Sequence, residues 1–410
     1  MAEDSVPGVE DIPRLGAWLA SQGILPSSAP PGVRLIAGGR SNLTYLVDPR
    51  PVAGLDAPLL VLRRPPLGHV LPTAHDMGRE YRVLSALDGT AIPVPRPVVL
   101  CADPDVIGAP FYVMRHVPGE VLRTEEDGQR VTPDQAGQLS ERFADMLAAI
   151  HGVDLAAVGL TGFGRPAGYL ERQLARWQRQ WELSATREMP GYPELVQRLA
   201  AGLPAGSADG TLVHGDYRLD NMLVTLGARP AVAAVLDWEM STLGDPLADL
   251  GLALVYWAEP GDGDSAELSV AAMITASPGF LSRAQIADRY AAATGRDVSG
   301  LGYYMAFGCF KLAVVLEGIH ARFLQHQTVG EGFEREGQGV PALIQRAHRL
   351  LDSAGRPGGL ADLPGARPTR GPGRPTPGPA NPGQARVTRP EKELRPGTPL
   401  LPDLKSRPGQ

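Results

Sequence analysis

Asp216, Asn221 and Asp237 have the residue types and spacing for chemistry on a phosphate. They lie in Leu212-Val-His-Gly-Asp-Tyr-Arg-Leu-Asp-Asn-Met-Leu-Val224 and in the following Val235-Leu-Asp-Trp-Glu239. A carboxylate placed like Asp216 can accept the proton of an attacking hydroxyl. An amide oxygen and a second carboxylate, here Asn221 and Asp237, can hold Mg²⁺ against the phosphates of a nucleotide. Any one of the three alone reads as an ordinary turn residue, since Asp and Asn serve turns often. What singles them out is their order, with a predicted hairpin between the second and the third.

That hairpin follows from local pattern. Thr211 to Val213 is a short β-prone run, so His214-Gly215-Asp216 opens a loop at a strand end. Met222 to Val224 and Ala231 to Leu236 read as strands joined by the turn residues of Leu226-Gly-Ala-Arg-Pro230. Such a hairpin folds Asp237 back beside Asn221.

The N-terminal part supplies what a phosphate site needs next. Val33 to Val47 reads as strand, small-residue turn and strand, with Gly39, Ser41 and Asn42 in the turn. Taken alone it is an ordinary β-turn; placed before a cation and a helix it is a candidate phosphate loop. Leu59-Leu-Val-Leu-Arg63 is a third predicted strand ending in a cation. Met77, Tyr81, Leu84 and Leu87 recur at i, i+4, i+7 and i+10, which predicts a helix with Glu80 beside its apolar face. A strand cation paired with a helix glutamate is the arrangement that touches nucleotide phosphates in kinases, and here the pair is Arg63 and Glu80. Successive strand residues face opposite ways, so only one of Arg63 and Arg64 can point inward, and Arg63 is the choice. Arginine in the place of lysine brings a flat, permanently charged fork instead of a compact point charge.

These segments resemble the aminoglycoside phosphotransferase and choline kinase-like family, whose members carry a His-Gly-Asp loop, a following Asn and an Asp-Trp or Asp-Phe pair. Gly244-Asp-Pro-Leu-Ala-Asp-Leu-Gly251 is similar to the family's next element. The resemblance runs from about Val33 to about Arg349. Leu62-Arg-Arg-Pro-Pro66 and His214 to Asn221 resemble most the kinase-like domains that some proteins carry fused to an acyl-CoA dehydrogenase. The resemblance implies an α+β, bilobal, protein-kinase-like fold: an N-lobe over residues 1–117 and a larger, mostly helical C-lobe over 118–352. It also implies ATP and Mg²⁺ as cofactors and an extended segment, Ala109 to Gly119, at the hinge, with Met114 or Val113 packing on adenine. Asp249 is expected to brace the loop, and Asp220 and Glu239 to stand behind the site residues.

The acceptor implied is a hydroxyl on a small molecule rather than a nucleic acid. Likeness to the dehydrogenase-linked domains suggests a hydroxy acid or hydroxyacyl thioester and a functional link to acyl-CoA dehydrogenases. An aminoglycoside is an alternative, as is a choline-type amine, for which Trp177, Trp181, Tyr256 and Trp257 could form an aromatic cage. A nucleotide-binding pseudokinase with a regulatory role is a third, motivated by Arg63.

The whole chain bounds these readings. At 410 residues and 43% apolar composition it suits two lobes and a tail. Cys101 and Cys309 form no metal or disulfide pattern. Neither the acidic N-terminus nor the apolar runs near Leu250 and Met305 read as a signal peptide or membrane span, so a cytoplasmic protein is expected. From Ser353 to Gln410 there are 13 Pro and 10 Gly, with 10 Lys and Arg against 4 Asp and Glu. This segment, 353–410, is expected to be a disordered basic arm. Between hinge and loop, Thr132-Pro-Asp-Gln135 predicts a capped helix start, and His151 a helix end. Trp177 and Trp181, at i and i+4, predict a packed aromatic pair.

Overall fold

The computed structural model describes residues 6–36, 42–49, 58–67, 76–204, 210–262, 273–326 and 333–353. Gly39, Ser41 and the segment 354–410 lie outside them, so the expectations for the turn's glycine and serine and for the basic arm do too.

The first lobe is an antiparallel sheet of β1 (Gly32–Leu35), β2 (Leu43–Asp48), β3 (Leu60–Arg64), β4 (Pro97–Cys101) and β5 (Phe111–Arg115), in the order β1-β2-β3-β5-β4. Helix α1 (Ile12–Ser21) precedes it and α2 (Met77–Leu87) joins β3 to β4. Strand alternation divides the sheet into two faces. Tyr45, Val47, Leu60, Leu62, Phe111 and Val113 pack with Leu15 and Leu19 of α1. Val61, Tyr112 and Met114 turn the other way, into the core shared with Met77, Val83, Leu84 and Leu87 of α2. The same alternation separates the two arginines. Arg64 lies on the α1 face and donates to the carbonyls of Gly8, at 2.5 Å, and Ile107, at 3.0 Å. Arg63 faces α2.

Helix α2 begins where the apolar spacing predicts. The Asp76 carboxylate accepts from Arg79 N at 3.0 Å and caps it. Glu80 then sits in the first turn, where the helix dipole favours a negative charge.

The second lobe is mostly helical. It holds α3 (Glu125–Gln129), α4 (Pro133–His151), α5 (Tyr169–Ser184), α6 (Tyr192–Ala201) and α7 (Pro246–Tyr256), then helices Arg283–Thr294, Leu301–Leu324 and Val340–Ser353. Thr132 and Gln135 close the capping box at the start of α4. Two small ladders lie among the helices: β6 (Thr211–Val213) with β9 (Thr242–Gly244), and the hairpin of β7 (Met222–Thr225) with β8 (Ala231–Val235). A backbone bond from Val235 N to Pro93 O ties the second lobe to the first, and a reciprocal pair between Glu120 and Val224 joins the segment after β5 to β7, each bond 2.8 Å. Arg79 adds bonds of 3.0 Å to the carbonyls of Phe163 and Ser241.

Helix Leu301–Leu324 is longer than the apolar run read from the sequence. By length and composition it could cross a membrane, yet 72% of its most apolar window is buried inside the protein, as in a core helix. Helix α7 packs directly against it. Gly251 of α7 lies so near that an added Cβ would stand 2.6 Å from the backbone carbon of Tyr304.

That approach fixes α7, whose two ends reach the candidate site described below. Gly251→Ala is therefore expected to destabilise the fold by about 1–3 kcal/mol, the range for overpacking a well-filled core. Equilibrium denaturation measures it; an unchanged midpoint would show that α7 has room to shift.

Candidate active site

The loop after β6 is built around a glycine and a buried carboxylate. Gly215 has φ +83°, and a Cβ there would meet the Met240 carbonyl oxygen at 2.5 Å, so both conformation and space demand glycine. Asp249, in the first turn of α7, accepts from His214 N at 2.6 Å with one oxygen and from Gly215 N at 2.8 Å with the other. Burial works to raise the Asp249 carboxyl, but His151 and these N–H donors outweigh it and hold it below the ordinary carboxylate value. His151 thus does more than end α4. One ring nitrogen lies 3.2 Å from Asp249 and the other 2.7 Å from the Tyr290 hydroxyl. His214 is fully buried; its Nε2 donates to Leu236 O at 2.9 Å and its Nδ1 accepts from Asp216 N at 3.3 Å.

Asp216 leaves this loop with both carboxylate oxygens engaged. Oδ2 accepts from the Asn221 amide at 3.1 Å, and the same Nδ2 bonds the Asp216 carbonyl at 2.9 Å. Oδ1 accepts from the Tyr256 hydroxyl at 2.8 Å. With the amide nitrogen committed, the Asn221 side-chain oxygen is the acceptor left on that residue. The β7–β8 register pairs Met222 with Val235, and Leu236 N donates to Asn221 O at 2.8 Å. Asp237 is thereby set beside Asn221. It has φ 63° and ψ 63°, a left-handed conformation that Asp tolerates better than most residues.

Arg63 closes the site from the first lobe. Its Nη2 donates to Asp237 Oδ1 at 2.6 Å, its Nε is 3.1 Å from Glu80 Oε2, and Glu239 lies at 3.7 Å. Tyr112, paired with Arg63 across the sheet, hydrogen-bonds Glu80. Burial opposes the charge on Arg63, but Glu80 and Asp237 overcome it and keep the guanidinium firmly protonated. Glu80 goes the other way: burial raises its carboxyl to about 7 despite the pull of Arg63, because Asp237 and Glu239 add negative charge. Burial raises Asp237 as well, against Arg63. Three acids crowd one cation. Asn42, expected at the phosphate loop, is 1% exposed and donates to Glu239 Oε2 at 2.7 Å. Met114 is buried on the α2 face of the sheet and Val113 on the opposite face.

The chain matches the phosphotransferase enzyme family over residues 32–297. The chain belongs to that family. A solved Ralstonia eutropha protein, provisionally assigned as an aminoglycoside phosphotransferase, is 32% identical with a TM-score of 0.69, covering 84% of this chain and 99% of that one. Acyl-CoA dehydrogenase family member 11 of Gallus gallus is 34% identical over 324 residues, 78% of this chain but 40% of the relative. The phosphotransferase therefore spans about two fifths of that relative's length. An aminoglycoside phosphotransferase solved with ADP and hygromycin B shares the fold at 13% identity and a TM-score of 0.53, covering 83% of this chain and 98% of that one. Membership places the chain among the phosphotransferases.

Two sequence expectations are corrected. Trp177 and Trp181 do not pair: Trp181 stacks on Tyr192 at 4.1 Å, while Trp177 lies 5.5 Å from the Lys311 ammonium. Nor is there an aromatic cage. Trp257 packs on Phe143 and Phe280 and donates to Leu281 O, and Tyr256 bonds Asp216, because neighbouring elements claim each ring separately. Sequence reasoning missed Tyr112, the Asp216–Tyr256 bond and Lys311. Only Lys311 left a signal, a lone cation inside the apolar run from Tyr303 to Leu316.

The raised Glu80 carboxyl has a consequence for stability. Between its ordinary 4.5 and about 7, the folded protein keeps a proton that the unfolded chain has released. The contribution of Glu80 to stability therefore falls as pH rises through that window. In Glu80→Gln the fall in thermal midpoint across the window should be shallower than in the wild type. Parallel curves would show that Glu80 does not titrate there.

Proposed function

We propose that the protein transfers the γ-phosphoryl group of ATP to a hydroxyl of a hydroxy acid or hydroxyacyl thioester. Residues up to 117 would form the nucleotide lobe, and 118–352 the lobe carrying base and acceptor. The observation that carries this reading is the meeting of Asp216, Asn221 and Asp237 from the second lobe with Arg63 and Glu80 from the first.

Asp216 is the base. Its two oxygens, held by Tyr256 and Asn221, present one carboxylate orientation to the acceptor hydroxyl. The new P–O bond forms on the acceptor oxygen as the bond between the γ-phosphorus and the β,γ-bridging oxygen breaks. ADP leaves with that oxygen, and the hydroxyl proton passes to Asp216. Arg63, oriented by Glu80, exchanges its hold on Asp237 for the nucleotide phosphates. The barrier falls through positioning and electrostatics.

The donor set fits Mg²⁺. Asn221 Oδ1 is left as an acceptor by its amide bonds, and Asp237 adds a carboxylate in a crowd of negative charge that burial alone makes unfavourable. Among the described residues no three His, Cys, Asp or Glu gather to hold an ion unaided, so Asn221 and Asp237 would share it with the nucleotide phosphates. When bound, the cation supplies charge neutralisation on the phosphates.

Electrostatics around Asp216 support an anionic acceptor over a polycationic aminoglycoside. Lys311 Nζ donates to Gly215 O, next to Asp216, at 2.6 Å. Arg218, clamped by Asp220, lies 4.8 Å over the Tyr256 ring. The acyl-CoA dehydrogenase names of the relatives point the same way and suggest a functional link to such a dehydrogenase.

Asp216→Asn keeps the shape and hydrogen bonding but removes the base. It should lower kcat by about 10²–10⁴-fold while Mg-ATP binds with little change. Steady-state transfer to a panel of hydroxy acids, with a fluorescent-nucleotide titration alongside, measures both. Full activity in the variant would assign the base elsewhere.

A further inference from the structure

Lys311 sits where an acceptor must come. It lies on helix Leu301–Leu324 with apolar residues on either side of it in sequence, and burial lowers its affinity for a proton despite Asp216 and Asp249 nearby. An ammonium group has three donors. One is used on the Gly215 carbonyl, at 2.6 Å, and among the described residues no carboxylate lies within ion-pair distance of it. Even half-burying a charge is unfavourable unless something pairs with it.

A second donor lies close by and is also unsatisfied. Trp177, on α5, is 7% exposed, and its indole Nε1 is buried with no hydrogen-bond partner among the described residues. The Lys311 Nζ stands 5.5 Å from the Trp177 ring centroid. Arg176, next in the chain, adds further positive charge near Lys311. A half-buried ammonium and a buried indole N–H, on neighbouring helices beside the loop that carries Asp216, form a place for an oxygen that carries negative charge.

We infer that Lys311 and Trp177 form the subsite for the acceptor's carboxyl-type oxygen, a carboxylate or a thioester carbonyl, on the molecule whose hydroxyl faces Asp216. This rests on the phosphotransferase reading above and names the residues that choose its substrate. An oxygen held there offsets the ammonium charge and satisfies the indole donor. It also places the hydroxyl at a fixed reach along the acceptor chain, so the subsite selects both the charge of the acceptor and the position of its hydroxyl. An amine in the same place would meet Lys311 and Arg176 and be repelled.

The test compares straight-chain hydroxy acids differing in hydroxyl position, their coenzyme A thioesters, and matched diols and amino alcohols, each assayed with Mg-ATP. Lys311→Gln removes the charge and leaves an amide donor on the same side, one bond short of the Gly215 carbonyl. It should raise KM for the best hydroxy acid about ten- to a hundredfold, the loss expected for one charge-assisted hydrogen bond. The kcat for that acid, and kcat/KM for the matched diol, should change little. Trp177→Phe should raise the same KM by a smaller factor, and it carries the comparison if Lys311→Gln does not fold. A larger penalty on the free acid identifies a carboxylate as the group bound, a larger one on the thioester its carbonyl; either supports the subsite. A parallel loss on acid and diol would overturn it, by showing that Lys311 serves the loop or the transferred phosphoryl group. Wild-type preference for amino alcohols would overturn both the subsite and the anionic acceptor, while leaving phosphoryl transfer standing. If the wild type binds Mg-ATP but phosphorylates no member of the panel, the acceptor reading falls and the subsite with it.

Discussion

The buried carboxylate of Asp249 is the joint on which the site depends. It gathers four parts of the second lobe: the first turn of α7, the backbone N–H groups of His214 and Gly215, the end of α4 through His151, and through His151 the helix Arg283–Thr294 at Tyr290. A buried anion is tolerated only when its oxygens are fully engaged. Here two backbone donors and a histidine provide that, and in return the loop after β6 is held in one conformation. The far end of α7 then delivers Tyr256 to Asp216. One short helix therefore positions the loop at its start and Asp216 at its end, so its close approach to Tyr304 through Gly251 bears on both.

Opposed to this rigid half is a charge balance between the lobes. Arg63 answers Glu80, Asp237 and Glu239 at once, and Asn42 ties Glu239 to the sheet. Burial, with further negative charge nearby, raises the Glu80 and Asp237 carboxyls, and Asp237 holds a left-handed backbone conformation within these surroundings. A nucleotide with its cation would change the count of charges on both sides. Arginine suits this role because its fork can reach two carboxylates in different directions, where a lysine ammonium would be a single point.

Around Asp216 the cations Lys311 and Arg218 lie close, Arg218 clamped by Asp220, while the protein as a whole is acidic, with a net charge of −6. Net charge alone is therefore no guide to which charges meet at Asp216.

Much of the frame was legible from the chain itself. The helix over Met77–Leu87, the Thr132 capping box, the β7–β8 hairpin and the choice of Arg63 over Arg64 all follow from short-range rules: apolar period, cap chemistry, turn residues and strand alternation. So does the grouping of Asp216, Asn221 and Asp237, because a tight hairpin leaves its flanking residues little freedom. What only the tertiary structure decided are the partnerships across long stretches of sequence: Asn42 with Glu239, His151 with Asp249, Tyr256 with Asp216, and Lys311 with Gly215. The tryptophans were misjudged for the same reason, since i and i+4 place two rings on one helix face but the neighbouring helices determine what each ring meets. Local sequence sets the conformations a segment can adopt. Which distant side chain fills the space beside it depends on how the helices pack, and here that packing brings Tyr256 to Asp216 and Lys311 to the Gly215 carbonyl.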